Sequence, residues 1–239
     1  MGWAIAVALA DDGMPVLAVA RDGERLDALA AGRPGIEPLV ASIADPAGCA
    51  HVIATARERL GPVAVLVNNA GRGGHHDRPI WEQDRAGWEA SLAVNLDGPF
   101  ELTRLAVPDM VGAGWGRIVM ISSTAGALGA PAMAPYCASK HGVVGLMRSV
   151  AHDVARFGVT CNAVLPGWVR TDMAERDARE EATRRGLTAD AVWAERAAGY
   201  PAGRVVHADE IAAVVRFLVG TEAGAVNGEA LTVALGSPW

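Results

Sequence analysis

The sequence is poor in cysteine, in aromatic residues and in basic charge. Its three cysteines, Cys49, Cys137 and Cys161, are an odd number without Cys-x-x-Cys spacing, so neither a disulfide framework nor a metal site is predicted. Free thiols favour a reducing, cytoplasmic location. The net charge of −6 argues against a nucleic-acid partner, because binding to a phosphate backbone needs a basic face.

Long apolar segments are also missing. No uncharged and predominantly apolar run reaches the roughly 18 residues that a membrane span needs. The apolar start, residues 1–10, has no basic flank and is followed at once by Asp11 and Asp12. We therefore expect neither a signal peptide nor a membrane anchor.

The chain has the size and hydrophobicity of one α/β domain. Hydrophobic residues make up 51% of its 239 residues, which excludes a disordered protein. A chain of this length can bury a large core within a single domain, and we expect that domain to span residues 1–239.

Strand-like and helix-like segments alternate along the chain. Predicted strands are 16–20, 36–40, 63–67, 117–122, 159–165 and 230–235, and predicted helices are 3–10, 25–31, 46–60, 85–110, 136–157, 171–198 and 210–218. Uninterrupted apolar strands between helices predict a parallel sheet with helices on both faces, a Rossmann-like doubly wound fold. The charged segment 175–195 is either a solvated helical face or a substrate lid.

The sequence Tyr136-Cys137-Ala138-Ser139-Lys140 carries the clearest chemical signal. Residues four apart on a helix share a face, and an ammonium group near a phenol stabilises the phenolate and lowers its pKa. Tyr136 could then donate or accept a proton near neutral pH. The alternative is chance spacing on a solvated helix.

Several polar residues follow predicted strands, where ligands bind in open α/β sheets. Ser123 comes after strand 117–122 and could polarise a carbonyl oxygen; otherwise it is a cap. Asn68-Asn69-Ala70-Gly71 follows strand 63–67 and is a crevice or an ordinary turn. Asn95 stands in a predicted helix although asparagine has a low helix propensity, so it holds a water, bends the helix or is a surface amide.

Together with Pro166-Gly167 and Thr171, these elements resemble the short-chain dehydrogenase/reductase family in order and spacing. The resemblance extends from Gly2 to about Gly236. It implies hydride transfer between a nicotinamide and a substrate carbon, with the cofactor supplying the hydride. It assigns Tyr136 as catalytic acid or base and Ser123 as the group that orients the carbonyl.

The resemblance also assigns the remaining roles. Lys140 lowers the pKa of Tyr136 and binds the nicotinamide ribose, and Asn95 supports a proton relay through water. Residues that would contact the cofactor are Gly2, Arg21, Asn69, Ala70, Gly71, Tyr136, Lys140, Pro166, Gly167, Val169 and Thr171.

Cofactor choice depends on the end of strand 16–20. An acidic residue there binds a ribose 2′-hydroxyl, whereas an arginine accommodates a 2′-phosphate. The sequence is Ala20-Arg21, which predicts that NADP(H) is preferred and NAD(H) is possible. The alternative for Arg21 is a solvated loop charge.

The family begins with a strand and a glycine-rich turn that meets the cofactor pyrophosphate. Here Gly2 matches the last glycine of that turn, and no residues match the first strand. Either the natural chain starts upstream, or this is a truncated form with weak NADP(H) affinity and low stability. Without that strand, two neighbouring strands would lack their shared partner and expose backbone groups.

Segment 135–145 resembles ketoreductases that act on polyketides and on acyl carrier protein substrates. The expected substrate is therefore a 3-oxoacyl compound or related ketone. A hydroxy-acid or cyclic-alcohol dehydrogenase and a cofactor-impaired, non-catalytic subunit remain alternatives. Arg156 matches a carrier-docking position but Gly114 stands at the second one, so carrier-protein docking stays open.

Segment 171–203 matches the family's variable substrate loop. Trp168 and Met173 would contact substrate together with Ser123, or would pack in the core. The resemblance further implies a homotetramer, with helices 85–110 and 136–157 in one interface and the tail 231–239 in another.

Overall fold

The computed structural model describes residues 1–73 and 78–237. Its helices are α1 (Gly2–Asp11), α2 (Gly23–Ala30), α3 (Pro46–Leu60), α4 (Arg85–Leu92), α5 (Gly98–Ala113), α6 (Ala134–Val154), α7 (Asp172–Arg185), α8 (Ala189–Ala198) and α9 (Ala208–Val219). Its strands are β1 (Val16–Ala20), β2 (Ile36–Val40), β3 (Val65–Asn68), β4 (Gly116–Ile121), β5 (Val159–Pro166) and β6 (Ala230–Val233). The predicted α/β alternation is confirmed.

All paired strands are parallel. β1 pairs with β2, while β3, β4, β5 and β6 form a four-stranded sheet in that order. Within the described residues no strand joins β1 to β3, so each of them pairs on one side only.

Helices cover both faces of the sheet, as predicted. Along β4, side chains alternate between two cores because successive residues of a strand point to opposite faces. Ile118 and Met120 pack with residues of α3, α5 and α6, whereas Val119 and Ile121 pack with residues of α1 and α9. A third cluster joins α1 and α2 to β1 and β2.

Two of the predicted helices are each interrupted in the structure. Segment 85–110 contains a π-helical turn, Ala93–Asp97, between α4 and α5. Segment 171–198 is broken at Gly186, which adopts a positive φ of 65° and separates α7 from α8. A glycine reaches this left-handed conformation without steric cost.

Among residues 1–73 and 78–237, no helix has both the length and the apolar character that crossing a membrane requires. Residues 238 and 239, the end of the predicted tail interface 231–239, lie outside the described residues.

Candidate active site

The candidate site lies where β3, β4 and β5 end on the same side of the sheet. Asn68 closes β3, Ser123 follows β4, and Pro166 closes β5. Carboxyl ends of neighbouring parallel strands form a crevice that binds ligands in α/β proteins. Helix α6 then brings a tyrosine and a lysine to this edge.

Ser123, Tyr136 and Lys140 come together as the sequence predicts. The Ser123 side chain forms a hydrogen bond with that of Tyr136. One helical turn further along α6, Lys140 Nζ donates to the Ile121 carbonyl at 2.9 Å and lies 5.7 Å from the centroid of the Tyr136 ring. The amine is thus fixed at the end of β4, beneath the phenol.

The expected lowering of the Tyr136 pKa is wrong for this geometry. Burial raises the pKa of the phenol above its usual value, the hydrogen bond with Ser123 opposes that effect, and the nearby Asp177 carboxylate adds to it. Burial also lowers the pKa of Lys140 to about 8, because a cation loses its hydration there. Desolvation is therefore the largest cause of both shifts.

Asn95 is neither solvated nor in a regular α-helix. It is 1% exposed within the π-helical turn. Its Oδ1 accepts from the Arg72 backbone N–H at 2.7 Å, and its Nδ2 donates to the Arg72 carbonyl and to Ser139 Oγ, both at 3.0 Å. Asn95 thus joins the loop after β3 to α6 from within the π-helical turn. Its part in a proton relay stays a prediction.

The loop after β3 carries an unsatisfied polar atom. Asn69 Oδ1 is buried and accepts no hydrogen bond, although buried polar atoms normally have partners. Asn69 also lies against α1, since a Cβ added at Gly2 would come within 2.5 Å of Asn69 Nδ2. A hydroxyl or amide N–H of a ligand could donate the hydrogen bond that Asn69 Oδ1 lacks.

Two glycines lie in the segments around Ser123, Tyr136 and Lys140. A Cβ added at Gly71 would lie 3.6 Å from Lys140 Nζ and 3.5 Å from Asn95 Oδ1, so the loop after β3 runs beside the amine. At Gly167 it would lie 2.2 Å from the Tyr200 hydroxyl, so packing against Tyr200 excludes a side chain there. The orphaned Asn69 oxygen and the Lys140 amine are polar groups that fit a nicotinamide riboside.

The residues after β5 have defined partners of their own. Gly167 donates its N–H to the Val233 carbonyl at 3.0 Å, and Val169 forms a parallel bridge with Val206. Thr171 caps α7 by accepting from the Ala174 N–H at 3.2 Å. Together they hold the segment from Pro166 beside the crevice, while their contacts with a cofactor stay predictions.

At the adenosine end, Arg21 is exposed directly after β1. Sequence reasoning missed a second arginine, Arg25 in α2, which forms an ion pair with Asp172 in α7. The N-terminus of α1 points into the same region and has no side-chain cap, so its amides are available to an anion. These cationic and amide groups suit a phosphorylated adenosine.

On the substrate side, Met173 and Asp177 of α7 reach the loop after β3. A Cβ added at Gly73 would lie 3.4 Å from the Met173 sulfur and 3.8 Å from Asp177 Oδ2. A cavity of about 120 Å³ adjoins this point, and Arg72, Arg78 and buried Ser91 are among its lining residues. The sequence contains no local signal for Asp177, Arg78 or Ser91.

Trp168 packs against a hydrophobic cluster, which agrees with the second of its two predicted alternatives. Its ring packs with α7 and α8, where the Arg196 guanidinium lies 3.7 Å from the ring centroid. Its contact with substrate stays a prediction.

A doubly wound α/β fold with a serine, a tyrosine and a lysine at the carboxyl ends of its parallel strands defines a nicotinamide-dependent oxidoreductase. The chain belongs to the short-chain dehydrogenase/reductase family: a family model described as enoyl-(acyl carrier protein) reductase matches residues 1–237.

Individual relatives support this assignment. The 3-oxoacyl-(acyl-carrier-protein) reductase FabG of Thermotoga maritima is 33% identical over 240 residues, covering 98% of this chain and 91% of its own. D-beta-hydroxybutyrate dehydrogenase of Rhizobium meliloti is 35% identical over 189 residues, covering 79% and 72%. The crystal structure of a single-substitution variant of actinorhodin polyketide ketoreductase with NADPH superposes with a TM-score of 0.93 at 35% identity, covering 98% and 91%.

The family, the relatives and the site agree on the reaction class. The chain is an oxidoreductase that interconverts a ketone and a secondary alcohol with NADP(H).

Proposed function

We propose that this chain reduces the 3-oxo group of an acyl or polyketide substrate, with Ser123 and Tyr136 binding the carbonyl oxygen and Tyr136 supplying the proton. The observation that carries the proposal is the hydrogen-bonded pair of Ser123 and Tyr136 at the end of β4, with Lys140 one turn along α6. Asn95 joins the same helix to the loop after β3.

Two hydroxyl groups pointing at one carbonyl oxygen stabilise the negative charge that develops there during reduction. When bound, NADPH supplies the hydride. The raised pKa of Tyr136 keeps the phenol protonated, as a proton donor must be. The Lys140 amine, whose pKa is about 8, is mostly charged at neutral pH and stabilises the phenolate that proton transfer leaves.

The residues for holding the cofactor follow from the crevice. Lys140 and Asn69 would hold the nicotinamide riboside, with the backbone at Gly71 and Gly167 beside it. The chain segment from Pro166 to Thr171 would lie along the nicotinamide. The remaining assignments, Gly2 at the pyrophosphate, Ala70 beside the adenosine and Arg21 at the 2′-phosphate, rest on the family pattern and on the position of β1.

The substrate class is supported by relatives named for 3-oxoacyl and polyketide reduction. A hydroxy acid is the second candidate, because one relative is a hydroxybutyrate dehydrogenase and two arginines line the cavity beside Gly73. Arg72 and Arg78 could pair with a carboxylate. Segment 171–203, with Met173 facing the cleft, would discriminate between these substrates.

Substrate-dependent oxidation of NADPH tests the proposal. We expect turnover with a 3-oxoacyl thioester such as acetoacetyl-N-acetylcysteamine, and slower turnover with acetoacetate and with NADH. Tyr136→Phe should lower kcat about 100- to 10,000-fold, the usual contribution of a positioned general acid. NADPH binding, followed by fluorescence, should persist in that variant.

Other outcomes of this assay would indicate other functions. Preference for acetoacetate would favour the hydroxy acid, and turnover of crotonyl thioester alone would favour enoyl reduction. Activity that survives Tyr136→Phe would exclude the mechanism. NADPH binding without turnover of any of these compounds would indicate a non-catalytic subunit.

The proposal includes a homotetramer in the cytoplasm. Phe100 on α5 is 45% exposed, which supports an apolar contact along that helix, and three free thiols fit a reducing compartment. Light scattering that gives the mass of one chain would reject the tetramer.

A further inference from the structure

An arginine contacts two tryptophans beside the candidate active site. The Arg196 guanidinium is 3.7 Å from the centroid of the Trp168 ring and 4.9 Å from that of Trp193. The two indoles meet edge to face, with centroids 6.4 Å apart and planes at 87°. The Arg196 side chain is only 9% exposed, so its cation–π contacts are shielded from water and correspondingly strong.

The same guanidinium binds helix α7. Its Nη2 donates to Glu181 Oε2 at 2.9 Å and its Nη1 to the Ala174 carbonyl at 3.4 Å. Since Arg196 itself belongs to α8, one side chain connects α8, α7 and the segment after β5. A planar guanidinium can stack and donate in its own plane at once, which a lysine ammonium cannot do.

Helix α7 buries little apolar surface of its own, and Trp193 Nε1 also donates to Glu175 of this helix at 3.1 Å. The buried residues of this helix are three alanines, Ala174, Ala178 and Ala182, packed with Val192 and Trp193 of α8. Alanine side chains bury little apolar area, so the polar and aromatic contacts contribute a large share of the attachment.

Trp168 connects this cluster to the end of β5. Its backbone N–H donates to the Tyr200 hydroxyl at 2.6 Å, and its carbonyl accepts from the Val206 N–H at 2.9 Å. The backbone at Trp168 is therefore fixed directly after Gly167, in the segment proposed to lie along the nicotinamide.

Helix α7 then reaches the substrate side of the cleft. Met173 and Asp177 of this helix approach Gly73, and Asp177 acts electrostatically on the Tyr136 phenol. Any shift of α7 therefore moves an apolar side chain and a carboxylate that face the site of reaction.

We propose that Arg196 is a positioning residue for substrate: packed on Trp168, in contact with Trp193 and paired with Glu181, it holds α7 and α8 against the segment after β5. This inference rests on the proposed function for its kinetic consequence alone. The attachment itself can be measured without turnover.

Arg196→Met tests it, since methionine fills apolar space but neither stacks as a cation nor binds Glu181. In hydrogen-exchange mass spectrometry, we expect residues 172–198 of the variant to exchange at least about tenfold faster, as loss of shielded cation–π and charged hydrogen bonds implies. Exchange in β4 and α6 should stay unchanged. Near-ultraviolet circular dichroism of the indole pair should weaken.

In the NADPH assay, KM for the 3-oxoacyl thioester should rise about tenfold, while KM for NADPH and kcat change little. Arg196→Lys, which keeps the charge without the planar group, should give intermediate values. The matched control is Arg185→Gln, because Arg185 binds the same Glu181 at 2.7 Å and also pairs with Glu195, but contacts neither tryptophan.

Unchanged exchange in residues 172–198 of Arg196→Met would overturn the proposal, whether or not the protein turns over the thioester. An equal effect in Arg185→Gln would overturn it too, because any loss of charge would then suffice. If Arg196→Met does not fold, Arg196→Lys gives the same comparison. Faster exchange in a protein without ketone activity would support the attachment and reject the proposed function separately.

Discussion

At the scale of single residues, Lys140 offers a direct measurement because it is the only lysine in the chain. It is 5% exposed, and burial lowers its pKa from 10.5 to about 8. Protein grown with 13C-labelled lysine should therefore give one ε-carbon NMR signal that titrates near pH 8. Lys140→Met should remove that signal, and titration near 10.5 would show that the amine is solvated.

The same shift makes stability depend on pH. Below pH 8 the amine is protonated in both the folded and the unfolded chain. Between about 8 and 10.5 the unfolded chain still holds a proton on this amine that the folded chain has released, so the Lys140 contribution to the free energy of unfolding rises with pH, by about 3 kcal/mol. The buried thiols of Cys49 and Cys161, whose pKa values burial raises to about 11 and about 12, act in the opposite direction above pH 9. The Lys140 contribution is therefore measured as the difference in urea-unfolding free energy between the parent chain and Lys140→Met, and this difference should shift in favour of the parent as the pH rises.

The proximity of Ser123, Tyr136 and Lys140 was predictable from the sequence because these residues lie on neighbouring elements. Tyr136 and Lys140 are one helical turn apart, and Ser123 follows the neighbouring strand, so local spacing is enough to bring them together. Asp177, and the ion pair of Arg25 with Asp172, join segments far apart in the sequence. The raised pKa of Tyr136 depends on burial, which spacing does not encode.

At the scale of elements, helix α5 contains two glycines with opposite expected effects. A Cβ at Gly98 would lie 2.5 Å from the Ile43 carbonyl oxygen and 3.0 Å from its Cδ1, whereas one at Gly112 meets nothing within 4 Å. Gly98→Ala should destabilise the protein by about 1–3 kcal/mol through overpacking. Gly112→Ala should stabilise it by up to about 1 kcal/mol, because alanine favours a helix.

Urea unfolding of the two variants beside the parent chain measures this difference. Equal midpoints for both alanine variants would mean that the loop at Ile43 yields to α5 at no cost, contrary to the close approach in the structure.

The boundaries of most elements could be predicted, because caps and breakers are local. Asp45 caps α3 directly before Pro46, and Gly186 separates α7 from α8. The π-helical turn at Ala93–Asp97 could not, since one inserted residue hardly alters the apolar periodicity on either side. Its position follows from long-range hydrogen bonds of Asn95 to Arg72 and Ser139.

At the scale of the molecule, the division of the sheet should govern local stability. β4 and β5 each pair on both sides, whereas β1 pairs only with β2 among the described residues. Strands with fewer neighbours open at lower free energy. Hydrogen exchange should therefore be fastest in β1 and β2 and slowest in β4 and β5, and uniform protection would contradict this order.

NADPH should reduce this difference in hydrogen-exchange rate between the two parts of the sheet. Its proposed contacts include Arg21 after β1 together with Asn69, Lys140 and Gly167 at the ends of the four-stranded sheet, so one ligand would join both parts. A ligand that binds only the folded state stabilises the regions it connects. Saturating NADPH should slow exchange in β1 and β2 more than in β4.

NADH, which lacks the 2′-phosphate, should protect β1 less at equal occupancy. Equal protection by both would remove Arg21 from the cofactor site, and protection confined to the four-stranded sheet would place the cofactor on that sheet alone.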